Sequence, residues 1–342
     1  MLIRARAPLR IGLAGGGTDL SSYSDLYGGY VLNATISKHA YAVIRKTKKN
    51  EVVFHAKDFN FHEVFTLDEV ATSEIKLSLH RAVYNRIMTD FNNGVSIPLE
   101  LITYCDAPVG SGLGASSTLV VAMIKAFVEL LNLPLDDYKI AKLAYSIERI
   151  ECGLNGGKQD QYSATFGGFN FMEFQKDQGV VVNPLRIKNW IICELEASLM
   201  LYYTGISRES AKIIDNQVNK IQDGKASHLT AMHKLKEEAV SMKEALLRGD
   251  FSALVDSMAA SWENKKKTAD LVSNVEIDEI YNAAIKAGAL SGKISGAGGG
   301  GFMMFFVPPE KRISVLGSLE KFPGYATNCY FTKDGAQAWK IV

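Results

Sequence analysis

The sequence predicts an α+β protein of two domains, on three observations. Its 342 residues exceed what one core usually organises, since at roughly 150 residues per domain they make about two. Strand-like and helix-like pieces alternate through the first half, whereas residues 207–287 read as one helix after another. The tail then returns to strands behind a run of glycines.

From Ile3 onward apolar and charged residues alternate as far as Ala7, the period of a strand. Residues 30–36 and 41–46 are rich in β-branched and aromatic residues and predict two more strands, joined by a short polar link at Ser37-Lys38-His39. Leu79, Val83, Ile87 and Phe91 recur at every fourth position, so residues 78–91 predict a helix with one buried face. Residues 99–104 form another strand, and the pattern turns helical after Ser117 as far as Leu133. Asp136, following Pro134, is placed to cap a further helix running to Cys152, and a turn at Gly167-Gly168 leads into a strand over 169–174. Residues 207–287 are rich in Ala, Lys, Glu, Leu and Met and break at Gly224 and Gly249, which separates several helices. Residues 301–307 and 326–331 complete the strands. Domain size puts the boundary near residue 185, dividing the chain into 1–185 and 186–342.

Composition narrows the class of function. There are 38 Lys and Arg against 37 Asp and Glu, a net charge of +1, so no global field draws in nucleic acid or an acidic membrane. Hydrophobic residues at 47% and charged residues at 22% are ordinary for a packed protein and exclude a disordered chain. Cys105, Cys152, Cys193 and Cys329 lack the paired spacing of a zinc site or redox dithiol, and reduced thiols are expected. Arg4, Arg6, Arg10 and Pro8 interrupt any secretory signal, and the longest apolar tract, 119–133, is broken by Lys125 and Glu129. A cytoplasmic protein without membrane or nucleic-acid partners is the expectation. No spacing assigns an oligomeric state.

The chemistry is written in glycine. In Pro108-Val109-Gly110-Ser111-Gly112-Leu113-Gly114-Ala115-Ser116-Ser117, three glycines at alternate positions let backbone N–H groups turn inward just before a helix start, a combination suited to a polyphosphate. Ser116 and Ser117 either cap that helix or offer a hydroxyl to a phosphate-bound Mg²⁺. The Walker spelling is absent, because Gly157-Lys158 precedes Gln159 and Gly292-Lys293 precedes Ile294. The dinucleotide fingerprint fits less well, with Ala115 three places after Gly112. Two further clusters, Gly15-Gly16-Gly17-Thr18-Asp19 and Gly296 to Gly301 with Gly298 and Gly299 at its centre, adjoin strand ends. Glycine costs folding entropy, so its concentration there suggests close backbone approach to a ligand.

The three clusters, in this order and over nearly the whole chain, resemble those of the GHMP superfamily of small-molecule kinases. That superfamily includes galactokinase, homoserine kinase, mevalonate kinase and phosphomevalonate kinase. The resemblance implies a ribosomal-protein-S5-like N-terminal domain, a ferredoxin-like C-terminal domain, and ATP and Mg²⁺ as co-substrate and metal. It makes Pro108 to Ser117 the ATP-phosphate loop, and Asp160, in Gly-Gly-Lys-Gln-Asp-Gln-Tyr, the catalytic aspartate that takes or orients the acceptor proton. Arg10 matches the basic residue of the first motif, where a guanidinium steadies charge on the transferring phosphoryl group. Glu148 matches the glutamate that shares Mg²⁺ with Ser116, with Glu151 competing for the role.

Asp19 matches the position at which galactokinases bond sugar hydroxyls, so Gly16, Gly17, Thr18 and Asp19 are expected on the acceptor. Galactokinases carry Glu-His where this chain has Gly16-Gly17, a change that leaves room for a bulkier sugar. The full spelling of the motifs looks most like the heptose 7-phosphate kinases of the superfamily. That likeness implies transfer to the anomeric C1 hydroxyl of D-glycero-D-manno-heptose 7-phosphate, an early step toward nucleotide-activated heptose for bacterial surface polysaccharides. A sugar phosphate also demands a basic group for its remote phosphate, and Lys158 and Arg208 are the candidates. Lys158 alternatively touches the ATP phosphates, and Arg208 is alternatively a solvated helix residue. Other readings are an L-fucokinase-like or uronate kinase, and a sugar sensor without catalysis.

Overall fold

The computed structural model describes residues 2–72, 75–108, 110–177, 179–205, 210–222 and 226–341. The first part of the chain runs β1 (Leu2–Ala14), α1 (Ser21–Tyr27), β2 (Gly29–Lys46), β3 (Glu51–Ala56), β4 (Phe61–Thr66), α2 (Ser78–Phe91), β5 (Leu99–Cys105), α3 (Ala115–Leu131), α4 (Asp137–Tyr145), α5 (Gln159–Phe166), β6 (Phe169–Phe174) and β7 (Val180–Pro184). There follow α6 (Asn189–Ser198), β8 (Leu199–Tyr203), α7 (Ser210–Gln222), α8 (Ala226–Arg248), α9 (Phe251–Lys266), α10 (Val275–Ala287), β9 (Ser291–Ile294), β10 (Phe302–Phe306), α11 (Arg312–Leu319), β11 (Tyr325–Asn328) and β12 (Gln337–Ile341).

The first sheet has the order β12-β1-β2-β5-β3-β4, with β6 and β7 added beside the first half of β2. β2 is one strand where the sequence predicts two. Its polar middle stays extended because other segments meet its backbone: Ser37 N–H donates to the Tyr330 carbonyl at 2.8 Å and His39 N–H to Asp106 Oδ2 at 2.8 Å. Its two halves then serve different neighbours, β6 along residues 29–34 and β5 along residues 40–46. β1 also runs past Ala7, with its register against β2 shifting between Pro8 and Arg10. Proline brings no ladder N–H, so a bulge there costs little, and the strand continues into a stretch buried on both faces.

α3 carries the first core. Val120, Val121, Met123, Ile124 and Phe127 are fully buried against Ile3, Ala5, Ile44 and Phe54 of the sheet. Each such side chain contributes about 1.5–3 kcal/mol on leaving water. α2 spans the predicted residues, and Asp136 caps α4 by accepting from the Lys139 N–H at 2.8 Å. The helix expected to reach Cys152 changes form instead, passing from α4 into a π-helical turn over Ser146–Glu151.

The second sheet has the order β11-β8-β10-β9, all antiparallel. Numbered along the chain this is fourth, first, third, second, with α10 and α11 in the crossovers, which is a ferredoxin-like arrangement. A second core joins the two halves, with Leu9 and Ile11 of β1 packed with Leu201, Met242, Met258 and Phe302. The chain does not stay in its second half to the end. β12 returns to pair with β1, Leu2 opposite Ile341 through Arg6 opposite Gln337, so the expected division at 186–342 gives up its last strand to the first sheet. No described helix is long and apolar enough to cross a membrane.

Candidate active site

The loop between β5 and α3 lies along a cleft of about 410 Å³. It is held from both sides by backbone: Arg10 N–H donates to the Leu113 carbonyl at 3.1 Å, and Phe302 N–H to the Ser111 carbonyl at 2.8 Å. β1 and the first residue of β10, behind the third glycine cluster, thus clasp the loop. Gly112 has φ +75, and a Cβ there would stand 2.3 Å from the Ser295 carbonyl oxygen, so the approach of the two loops requires glycine. α3 starts after Gly114 with no side chain capping it, and its positive end faces the cleft. Gly110, Ser111, Gly112, Gly114, Ala115, Ser116 and Ser117 line the cleft. Pro108 and Leu113 do not: Pro108 stands exposed at the entry and Leu113 is buried beneath the loop.

Arg10 and Asp160 meet below that loop. Arg10 Nε donates to Asp160 Oδ1 at 2.8 Å, Nη2 approaches the same oxygen at 2.7 Å, and Nη1 donates to the Gly112 carbonyl at 2.6 Å. Arg10 is 4% exposed, so it is no surface strand arginine. Burial with three fixed contacts makes the guanidinium a rigid positive group beside the phosphate loop.

Glu148 sits in the π-helical turn and is fully buried. Ser116 Oγ donates to its Oε1 at 2.8 Å and Gln161 Nε2 to its Oε2 at 2.7 Å. Glu151 points elsewhere, to Arg86, and makes no contact with Ser116 among the described residues. Two hard oxygens side by side at the start of α3 fit Mg²⁺, which takes one or two protein oxygens and fills its shell with phosphate and water. Among the described residues no group of three or more His, Cys, Asp or Glu could hold a metal without such help. Arg149 closes this corner, donating to Ser117 Oγ at 3.1 Å and to the Asn155 carbonyl at 3.1 Å.

Across the cleft, Asp19 accepts from the Gly17 N–H at 3.0 Å, the Gln159 N–H at 3.1 Å and Gln159 Nε2 at 3.2 Å. A Cβ on Gly157 would lie 1.8 Å from Asp19 Oδ2, so the carboxylate rests on bare backbone. Thr18 is structural, its buried hydroxyl donating to the Gly15 and Tyr30 carbonyls. The room expected at Gly16-Gly17 is filled from the other domain: Lys265 Nζ comes within 3.6 Å of where a Gly16 Cβ would stand, and Gln217 Nε2 within 2.7 Å of one on Gly17.

Two expectations for the acceptor site change. Lys158 is 5% exposed and turned away, with Nζ on Asp25 Oδ1 at 2.9 Å and Ser24 Oγ at 3.4 Å, so its charge is spent on α1. Gly298 and Gly299 pack on Val272, whose carbonyl accepts from the Gly299 N–H at 2.8 Å, and it is Gly296 and Ala297 that line the cleft. Arg208 lies outside the described residues.

Sequence reasoning missed Lys265 as a site residue and did not separate out Lys293, Gln159, Gln161 or Arg149. Lys293 is buried, Nζ donating to the Leu13 carbonyl at 2.9 Å and Ser261 Oγ at 3.3 Å, and burial, then Lys265 nearby, pushes it down to about 7. A signal for Lys265 was present: it follows Leu254, Met258, Ser261 and Trp262 on the buried stripe of α9, where a lysine is out of place.

Comparison with known proteins shows the family. Residues 78–168 match the GHMP kinases N terminal domain and residues 242–323 the GHMP kinases C terminal family. The chain is 51% identical over 339 residues, 99% of either chain, to the D-glycero-alpha-D-manno-heptose 7-phosphate kinase of Campylobacter jejuni. A crystal structure of a D-glycero-D-manno-heptose 1-phosphate kinase from Bacteroides thetaiotaomicron superposes with a TM-score of 0.83 at 43% identity, covering 99% of each chain. The Lactococcus lactis galactokinase with galactose superposes at 0.79 and 18% identity, over 98% of this chain and 95% of that one, a likeness of fold. A glycine-rich loop at a helix start, a buried arginine paired with an aspartate at the cleft, and 51% identity over nearly the whole chain converge on one conclusion: the chain belongs to the GHMP kinases, ATP-using phosphotransferases with an alcohol group as acceptor.

Proposed function

We propose that this kinase transfers the γ-phosphoryl group of ATP to the anomeric C1 hydroxyl of D-glycero-D-manno-heptose 7-phosphate. The product is the 1,7-bisphosphate, on the way to nucleotide-activated heptose. The observation that carries the reading is the placement of Asp160 and Arg10 directly beneath the Gly110–Ser117 loop, with Asp19 held opposite. Identity of 51% to a heptose 7-phosphate kinase over nearly the full length supports the choice of sugar.

In this reading the backbone N–H groups of the loop and the start of α3 bind the nucleotide phosphates. Asp160 Oδ1 is occupied by Arg10, and Oδ2 takes the acceptor hydroxyl, orienting it or receiving its proton as the phosphoryl group moves. Arg10, fixed by three contacts, stabilises the charge that develops on the transferred group without having to reorganise. Asp19 orients the sugar by accepting from its hydroxyls. Ser116 and Glu148 would hold Mg²⁺, which supplies charge neutralisation at the phosphates when bound. With Lys158 spent on Asp25, Arg208 is the sequence-based candidate for the remote phosphate.

Coupled ADP release tests the reading, with ATP and Mg²⁺ and with heptose 7-phosphate, unphosphorylated heptose, mannose and fucose compared. Turnover confined to the 7-phosphate, with the product phosphate found on C1 by ³¹P NMR, is expected. Preference for a free sugar would overturn the substrate, and phosphate on another carbon would overturn the position.

A further inference from the structure

Among the described residues, the cationic side chains lining the cleft are Arg10, Arg149 and Lys265. Arg10 is engaged by Asp160 and the Gly112 carbonyl, and Arg149 by Ser117 and the carbonyls of Leu154 and Asn155. Lys265 differs. Its ammonium has three donors, and within the described residues it makes one hydrogen bond, to the Gly16 carbonyl at 3.2 Å. Yet the residue is only 5% exposed. A buried ammonium with donors to spare is costly unless something else accepts them, and the open side is the cleft.

Position narrows what accepts. Lys265 reaches from the end of α9 over Gly16, and Gln217 reaches from α7 over Gly17, so helices of the second half of the chain supply side chains where the first glycine cluster has none. The floor there carries two cations, Arg10 and Lys265, and two carboxylates, Asp19 and Asp160. A doubly charged phosphate placed among them would face both carboxylates. A hydroxyl instead accepts from the ammonium and donates to a carboxylate, satisfying both.

We propose that Lys265, with Gln217 beside it, recognises the acceptor by donating a hydrogen bond to a sugar hydroxyl held between Asp19 and Asp160. This rests on the sugar-kinase reading and adds a specificity residue from the second domain. Titration supplies an independent handle. Burial pushes Lys265 down to about 8, with Asp19 and Asp160 opposing and Arg10 reinforcing. Lys293, itself near Glu238, lies behind it. The protonated, donating form is therefore lost as pH rises through about 8, and sugar binding weakens with it.

The test is steady-state kinetics of the wild type, Lys265→Met and Lys265→Arg, varying sugar and ATP separately, with the sugar that the wild type turns over. A wild type that prefers another sugar revises the substrate alone, and the variants are then read with that sugar. Loss of one charged hydrogen bond predicts a sugar KM raised about tenfold to a hundredfold in Lys265→Met, with the ATP KM changed less than about twofold. The wild type's alkaline fall in kcat/KM for the sugar, near pH 8, disappears in Lys265→Arg because a guanidinium does not titrate there. That second variant decides the matter if Lys265→Met fails to fold, which a nucleotide-dependent melting shift reveals. Equal rises in both KM values, or an alkaline fall that persists in Lys265→Arg, would overturn the proposal. So would inorganic phosphate that competes with the sugar in the wild type and no longer does so in Lys265→Met, which would assign Lys265 to the phosphate.

Discussion

Two nitrogens of Arg10 converge on one oxygen of Asp160, Nε at 2.8 Å and Nη2 at 2.7 Å, and leave the other oxygen without a hydrogen bond among the described residues. The pair thereby gives one carboxylate two duties, anchorage and proton handling. Asp160→Asn keeps the size and loses the charge, and kcat should fall about 10²- to 10⁴-fold with the ATP KM little changed. Arg10→Lys cannot reproduce the fork and should lower kcat by about tenfold or more. A coupled ADP assay measures both, and an Asp160→Asn enzyme with near-normal kcat would remove the aspartate from the chemistry.

Glu148 and Ser116 predict a metal phenotype. Glu148→Gln retains a partner for Ser116 Oγ yet removes the negative charge, so activity should need about tenfold more Mg²⁺ for half-saturation. Glu151→Gln, on the Arg86 side, should leave that titration unmoved. Rate against Mg²⁺ concentration at saturating ATP separates the two.

Gly157 tests the acceptor side without touching a polar group. A methyl there would meet Asp19 Oδ2 at 1.8 Å and Cγ at 2.4 Å, so the carboxylate must move. Gly157→Ala should raise the sugar KM by about tenfold while the ATP KM stays within about twofold. Matching rises in both would mean that the whole cleft had shifted.

Lys158 belongs to stability. Asp25→Ala leaves its ammonium buried without its carboxylate, at a cost of about 1–3 kcal/mol, read as a lower urea midpoint. The sugar KM should hardly change, and a large rise would return Lys158 to the acceptor site.

Stability should climb between about pH 7 and 9. Burial lowers Lys293 to about 7 and Lys265 to about 8 in the folded protein, whereas both keep the ordinary value near 10.5 when unfolded. In that window the unfolded chain binds more protons, so unfolding free energy rises with pH, by at most about 1.4 kcal/mol per unit for each group. At higher pH the thiols of Cys105, half-buried, and Cys329, fully buried, pushed up by burial to about 11 and about 12, reverse the slope, because the folded state then holds the extra protons. Urea midpoints at pH 7, 8 and 9 check the sign, and Lys293→Met should flatten the rise.

Much of the site is legible in short stretches of chain. The three glycine clusters, the helix over 78–91 and the Asp136 cap are local patterns, and each has its expected element in the fold. β2 escapes local reading because its polar middle is paired by residues 330–332, nearly three hundred positions away. Lys158 leaves the cleft and Lys265 enters it for the same reason: the turn before α5 aims one at Asp25, and α9 aims the other across Gly16.

The sequence by itself determined which chemistry this protein carries, because glycine spacing, a helix start and an Asp-containing motif act through backbone freedom and charge that neighbours in the chain supply. The tertiary structure decided which charges face the cleft and which are spent. Arg10 meets Asp160 across 150 positions and Ser295 across 285, and such contacts follow from how sheets and helices pack, so no local pattern specifies them.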